Sequence, residues 1–336
     1  MYGSVAAIVS VITLALYLFL SYFTSLPIFA IFLIIIPLFL LQWRFAPGII
    51  ERAHNVEPAS KEKYAELHRV VEEISERSGI EKPQLMIAET DLPNAFAYGN
   101  TWSGKKIAVT QGLLDNLEFE EVEAVVGHEI GHHKHGDAKI MMVLSILPAI
   151  FLMVGRIFLF SAFFGGNRRG GAPIIALAAG SMLVYFALNL CIMNFSRMRE
   201  FMADDHAAKN VPDGARKLSE GLAKINYRAA RMKEESEKSR GGSVRAVRRR
   251  PGGSGGTAGD RGGESTNSSS LGMSLKPLFI DDPDTARSIE PRKLSDQELV
   301  ERFKGKELSL GEKVMEFFST HPNVAKRLQA LEQLSG

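Results

Sequence analysis

Two histidines four residues apart, with a glutamate directly after the first, stand in Val125-Val126-Gly127-His128-Glu129-Ile130-Gly131-His132. On an α-helix, positions i and i+4 share a face, so both imidazoles can chelate one ion while Glu129 projects beside it toward a bound water. A catalytic zinc takes three protein ligands and keeps one position open, so a further His or carboxylate must come from elsewhere in the chain. Glu200 is the candidate. It lies in Ser196-Arg197-Met198-Arg199-Glu200-Phe201-Met202-Ala203-Asp204, directly after a long apolar run. The chemistry of such a set is hydrolysis. The ion lowers the pKa of its water, Glu129 takes the proton, a polarised peptide carbonyl is attacked, and Glu129 then protonates the leaving amine.

The residues around the motif support a helix there. Glu118, Glu120, Glu121 and Glu123 crowd its first turn, as the macrodipole favours, and Val122, Val125 and Val126 supply a face to bury. With a single cysteine, Cys191, inside an apolar run, the chain can form no internal disulfide and no thiolate cluster, so any metal site must use His and carboxylate. Cys191 itself reads as a small buried hydrophobe. Forty Lys and Arg against 38 Asp and Glu give a net charge of +2, which offers no basic excess for nucleic acid.

The apolar residues come in blocks that must place this helix. Val5 to Phe23 and Leu26 to Trp43 each meet the roughly 18–20 residues that a bilayer-spanning helix needs. The start carries no Lys or Arg, and a second span follows at once, so the pair reads as a membrane hairpin (1–43) and not as a cleaved leader. Ile140 to Phe164 and Ile174 to Phe195 form a second pair (140–195), the first of them interrupted by Arg156. Four spans return residues 44–139 and everything after 195 to one side. Arg44, Arg52, Lys134, Lys139, Arg197 and Arg199 flank the spans there, against Arg168 and Arg169 opposite, so the positive-inside rule places the polar parts in the cytoplasm. The expected molecule is a multi-pass protein of the cell (plasma) membrane, in contact with the lipid bilayer, with its active site facing the cytoplasm.

The polar parts read as mainly α with a small β-sheet. Tyr64, Leu67, Val70, Val71 and Ile74 predict a helix over Ser60 to Ser78, with Gly79 as its stop. Gln84 to Ala88 reads as a strand, and Ala95 to Tyr98 and Lys106 to Thr110 flank a turn. Asp213 can cap a helix carrying Leu218, Leu222 and Ile225 within 196–235, and Ser295 with Glu298 forms a capping box in the C-terminal part, 273–336. Residues 236–272 are rich in Gly, Ser and Arg with almost no large apolar residue, the composition of a flexible insertion.

The sequence resembles the HtpX-like membrane zinc proteases, relatives of the CAAX prenyl proteases. The resemblance rests on His128 to His132 leading into an apolar run, Arg197-Met198-Arg199-Glu200-Phe201-Met202-Ala203-Asp204, Asn94-Ala95-Phe96-Ala97 ahead of the motif, and Ser319-Thr320-His321-Pro322. It implies a zincin-like cytoplasmic domain with one Zn2+ per chain held by His128, His132 and Glu200, and Asp204 behind a zinc histidine to fix its tautomer. It also suggests that His321, with Arg327 six residues on, lies near the scissile bond and stabilises the oxyanion. Asn94, Ala95 and Phe96 begin a strand whose edge could pair with an extended peptide through its backbone, a mode suited to unfolded or misfolded membrane proteins, the substrates the resemblance implies. His133, His135 and His206 are extra histidines near the motif without an assigned role; His133 faces away from it and His135, seven residues from His128, could share its face, but both read as solvated side chains of a basic turn.

Two other functions fit parts of the pattern. A prenyl-protein protease would share the zinc chemistry, although that group typically has more spans enclosing a chamber. A membrane scaffold with a structural metal would not need Glu129, since a structural site has no use for a base.

Overall fold

A computed structural model describes residues 28–164, 171–247, 295–306 and 309–335. The apolar run Val5 to Phe23, residues 248–272 of the Gly-rich region and residues 273–294 of the C-terminal part lie outside the described residues. The described elements run, in order, α1 (Ile28–Ala53), β1 (Val56–Pro58), α2 (Ala65–Ser78), β2 (Gln84–Ala88), β3 (Ala95–Asn100), β4 (Gly104–Thr110), α3 (Gln111–Asn116), α4 (Phe119–His135), α5 (Asp137–Phe164), α6 (Gly171–Asn210), α7 (Gly214–Val247), α8 (Asp296–Lys304), α9 (Leu310–Phe317) and α10 (Val324–Leu334).

The four strands form one sheet in the order β1-β2-β4-β3, with β2 and β4 parallel and the outer pairs antiparallel. Leu85, Met86, Ile87 and Ala88 are all buried, the continuous apolar run of a strand covered on both faces. The β3–β4 turn closes around Asn100, whose Oδ1 accepts from Trp102 N at 2.9 Å and Ser103 N at 2.8 Å. A Cβ at Gly99, where φ is 123°, would lie 2.1 Å from the Gly104 carbonyl oxygen, so this turn requires glycine. β1 was not expected, because three residues ending in proline carry no alternation to read.

α2 begins at Ala65, five residues later than expected. Ser60 starts a preceding turn that accepts from Tyr64 N at 3.0 Å. It stops at Gly79 in the left-handed region (φ 63°), where Gly79 N and Ile80 N reach back to Glu76 and Ser75 carbonyls. α8 has the expected capping box, with Ser295 N donating to Glu298 Oε2 at 2.9 Å and Glu298 N to Ser295 Oγ at 3.3 Å. α7 runs to Val247, into the start of the segment read as an insertion.

α5 and α6 are long and apolar enough to cross a membrane, and only 17% and 6% of their most apolar stretches are buried within the protein. A core helix of a water-soluble protein would be mostly buried, so these two need an apolar environment outside the chain. They pack closely where Gly155 meets Ala178 and Ser181. Cys191, read as buried, is exposed on α6, because here the apolar surroundings lie outside the protein. α6 does not end with its apolar run but continues unbroken to Asn210, and only Gly136 separates the end of α4 from the start of α5. The metal-motif helix is thus flanked directly by the two candidate spans, and beneath them α2, α4, α7, α8 and α10 share one core with the sheet.

Candidate active site

α4 is fixed at both ends. Glu118 N donates to Glu121 Oε2 at 2.8 Å ahead of its first turn, and Gly136 ends it in the left-handed region (φ 69°). Between them, Gly127 and Gly131 stand one turn apart and leave a groove. The second half of α6 lies in it. A Cβ on Gly131 would meet Ala203 Cα and His206 Cβ at 3.1 Å, and one on Gly127 would meet Val211 Cγ2 at 2.6 Å. The small residues of α6 that enter the groove, Ala203 and Ala207, are fully buried. This close crossing carries Glu200 and Asp204 onto the His128 and His132 face.

The expected ligands converge. His128 Nε2 and His132 Nε2 are 3.1 Å apart, and Glu200 approaches them with Oε2 at 3.6 Å and Oε1 at 3.7 Å. Ligand atoms at zinc distances and tetrahedral angles are separated by about 3.3 Å, so this trio fits one ion. Glu200 Oε2, buried, accepts no hydrogen bond among the described residues, as suits an oxygen with a metal to bind. Burial opposes protonation of His128, yet the carboxylates of Asp204 and Glu200 beside it outweigh that and hold the imidazole at about 9, so the donor set favours a positive charge at this point.

Glu129 completes the motif. Its carboxylate and the two imidazoles each offer one atom within 4.8 Å of the others, and its Oε2 accepts from the backbone N–H of Ala97 at 2.7 Å. β3 is the outer strand beside β4, so the base is oriented by a sheet edge. Of the expected peptide-facing residues on that edge, Asn94 is buried and pairs through its backbone with Thr110, while the Ala95 and Phe96 side chains are buried in the two core clusters. Any role of theirs toward a peptide would fall to the backbone, not to the side chains.

The supporting groups are more numerous than the sequence reading gave. Asp204 stands behind His128 as expected, with Oδ1 2.8 Å from Nδ1. His132 has its own carboxylate, Asp137, whose Oδ2 lies 2.5 Å from Nδ1 and also accepts from Arg199 at 2.7 Å. Asp137 was missed, since only the turn at Gly136 brings a residue five positions on back to His132.

Arg327, expected near the scissile bond, is completely buried, donates to both oxygens of Asp204 at 2.9 and 2.6 Å, and lies 3.4 Å from Glu200 Oε2. Such a guanidinium balances buried carboxylates and has no surface to offer a substrate. His321 is brought to the site, with Nδ1 3.3 Å from Glu200 Oε1.

Of the extra histidines, His133 and His206 are held by hydrogen bonds within the protein. His133 Nε2 donates to the Lys106 carbonyl at 2.9 Å, and burial pushes its pKa down to about 4, so it ties α4 to β4 as a neutral ring. His206 bridges Ser78 Oγ at 2.9 Å and the Gly127 carbonyl at 3.0 Å. Its ring lies 6.0 Å from that of His135.

The model of peptidase family M48 matches residues 61–335. A protease HtpX homolog of Thermoplasma acidophilum is 35% identical over 312 residues, covering 91% of this chain and 86% of that protein. One of Aeropyrum pernix is 32% identical over the same length with the same coverage. Among solved structures, S. mikatae Ste24p is similar in fold, with a TM-score of 0.51 at 17% identity, covering 97% of this chain and 65% of that one.

Proposed function

The chain belongs to peptidase family M48, as a membrane metalloprotease of the HtpX type, and from that premise we propose that it is a zinc endopeptidase that degrades misfolded or damaged membrane proteins at the cytoplasmic side of the cell membrane. What supports this reading most is the convergence of Glu200 from α6 on the two imidazoles of α4, at 3.6 and 3.7 Å. His128, His132 and Glu200 would hold the ion, which when bound supplies Lewis acidity and a water acidified toward neutrality.

This chain's own groups do the rest. Asp204 and Asp137 stand against the Nδ1 atoms of the two histidines at 2.8 and 2.5 Å, which would leave each Nε2 with its lone pair toward the ion. Glu129, aimed by the Ala97 N–H, receives the proton of the attacking water on its carboxylate and returns it to the leaving amine. His321, beside the Glu200 carboxylate, would donate to the developing oxyanion. The β3 edge can align an extended segment through backbone hydrogen bonds with little regard to side chains, which suits unfolded substrates.

The test is metal analysis and cleavage of a casein-like substrate by the purified full-length protein, its Glu129→Gln variant and its Glu200→Ala variant. The parent should carry near-stoichiometric zinc and cleave, Glu129→Gln should keep zinc and lose cleavage, and Glu200→Ala should lose both. Unchanged cleavage by Glu129→Gln would overturn the assignment of the base. A prenylated carboxyl-terminal peptide cleaved in preference to the casein-like substrate would move the function to the CAAX type.

A further inference from the structure

α9 is turned the wrong way for a helix in water. Leu310, Val314, Met315, Phe317 and Phe318 point outward, with Leu310 83% and Val314 59% exposed. Its acidic side chains are instead tied to neighbouring groups of the protein. Glu316 pairs with Lys326 at 2.7 Å and accepts from Asn323 N at 3.3 Å, and Glu312 pairs with Lys306 at 2.9 Å. A contiguous apolar patch of this kind marks a surface meant to be covered.

What covers it is indicated by its neighbour. Phe318 packs against Phe186 of α6 with ring centroids 6.3 Å apart, and Phe186 lies about 16 Å along the helix axis from Arg197, within the apolar part of that candidate span. The exposed face of α9 is therefore continuous with the exposed apolar face of α6. The C-terminal carbonyls of α9, which lipid could not satisfy, are met by Arg197, whose guanidinium donates to Glu316 O at 3.1 Å, Phe317 O at 3.3 Å and Ser319 O at 2.8 Å. Two residues past Ser319 comes His321, 3.3 Å from the Glu200 carboxylate.

We propose that α9 is a membrane-interfacial helix whose apolar face lies among lipid acyl chains beside α6, and that this seating holds the segment ending at His321 against the active site. The proposal rests on the membrane reading of α6 and extends it to a segment too short to span. Polar groups tied to the protein and apolar groups facing out are what an interfacial helix needs when its second face is lipid. The bilayer would then be a structural partner of the active site as well as its support.

The test uses full-length protein in phosphatidylcholine and phosphatidylglycerol vesicles, in a Cys191→Ser background, carrying one nitroxide at Val314→Cys, at Leu183→Cys on the exposed face of α6, or at Glu76→Cys on α2. Relaxation by oxygen and by a water-soluble nickel chelate is compared. Val314→Cys should resemble Leu183→Cys, with oxygen contact high and chelate contact at least fivefold below that at Glu76→Cys. A label at 314 as open to the chelate as that at 76 would overturn the proposal. So would one shielded from both relaxants, because a second copy or a bound protein would then cover the helix. If the label at 183 were itself open to the chelate, the membrane reading of α6 would fail separately. For the coupling, Val314→Asp should lower cleavage in vesicles about tenfold with zinc content unchanged, and unaltered cleavage would sink that part.

Discussion

One helix of this protein lives in two environments. Along the first half of α6, Leu177, Leu183 and Phe186 are exposed, and Ala178, against Gly155, is buried. From Glu200 onward the pattern inverts, and Glu200, Ala203, Asp204, His206 and Ala207 are the buried ones. The first half depends on an apolar medium that accepts any side chain of similar character. The second half buries charge, which is tolerable only when each group has its named partner. Mutational tolerance should therefore change sharply within one continuous helix.

Removing the balancing charge should break the second half most severely. Arg327→Met leaves Asp204 and Glu200 buried without their guanidinium and should cost about 3–5 kcal/mol of stability. Denaturation in detergent, read by circular dichroism, checks this. A loss under 1 kcal/mol would mean that Arg327 is no buried counter-ion and would reopen its assignment to the substrate side.

The next effect is geometric. Gly131→Ala adds one methyl group where the neighbouring α6 atoms are only 3.1 Å away, so α4 and α6 must part slightly, at about 1–3 kcal/mol for overpacking. Because Glu200 rides on α6, the same change should weaken the metal site. Chelator competition should show faster zinc loss from Gly131→Ala than from the parent. Equal loss would imply that the crossing adjusts without moving Glu200. Asp137→Asn leaves the crossing intact but weakens the orientation of His132, and should lower metal affinity by roughly 10–100-fold in the same assay.

How far the sequence reveals this arrangement depends on whether a residue's partner is local. His128, Glu129 and His132 are legible because helical spacing alone puts them on one face, and the stop at Gly79 and the capping box at Ser295 are equally local. Glu200 is legible because the apolar runs around it constrain which side it returns to. Asp137 is not, since it needs the left-handed turn at Gly136 to face His132. Arg327 left a signal that went unread: Val324, Leu328 and Leu331 define the buried stripe of α10, and position 327 falls within it. The sites of the extra histidines were illegible for the opposite reason, their partners being carbonyls and a hydroxyl on α2, α4 and β4. Gly127 and Gly131 stood in plain view inside the motif, but their purpose emerges only with the helix that lies on them.

The smallest effect is the one that tests the comparison itself. Leu183, 69% exposed on the first half of α6, loses three carbons in Leu183→Ala, yet its contacts are with the surrounding medium, and lipid chains can fill the space. The expected loss of stability is under about 0.5 kcal/mol, as for a surface position. Deleting three carbons here should thus cost less than adding one at Gly131. Measured side by side in the same detergent or vesicle, a larger loss at Leu183 than at Gly131 would show that the first half of α6 packs against protein, whether another segment of this chain or a second copy, and the contrast between the halves would be lost.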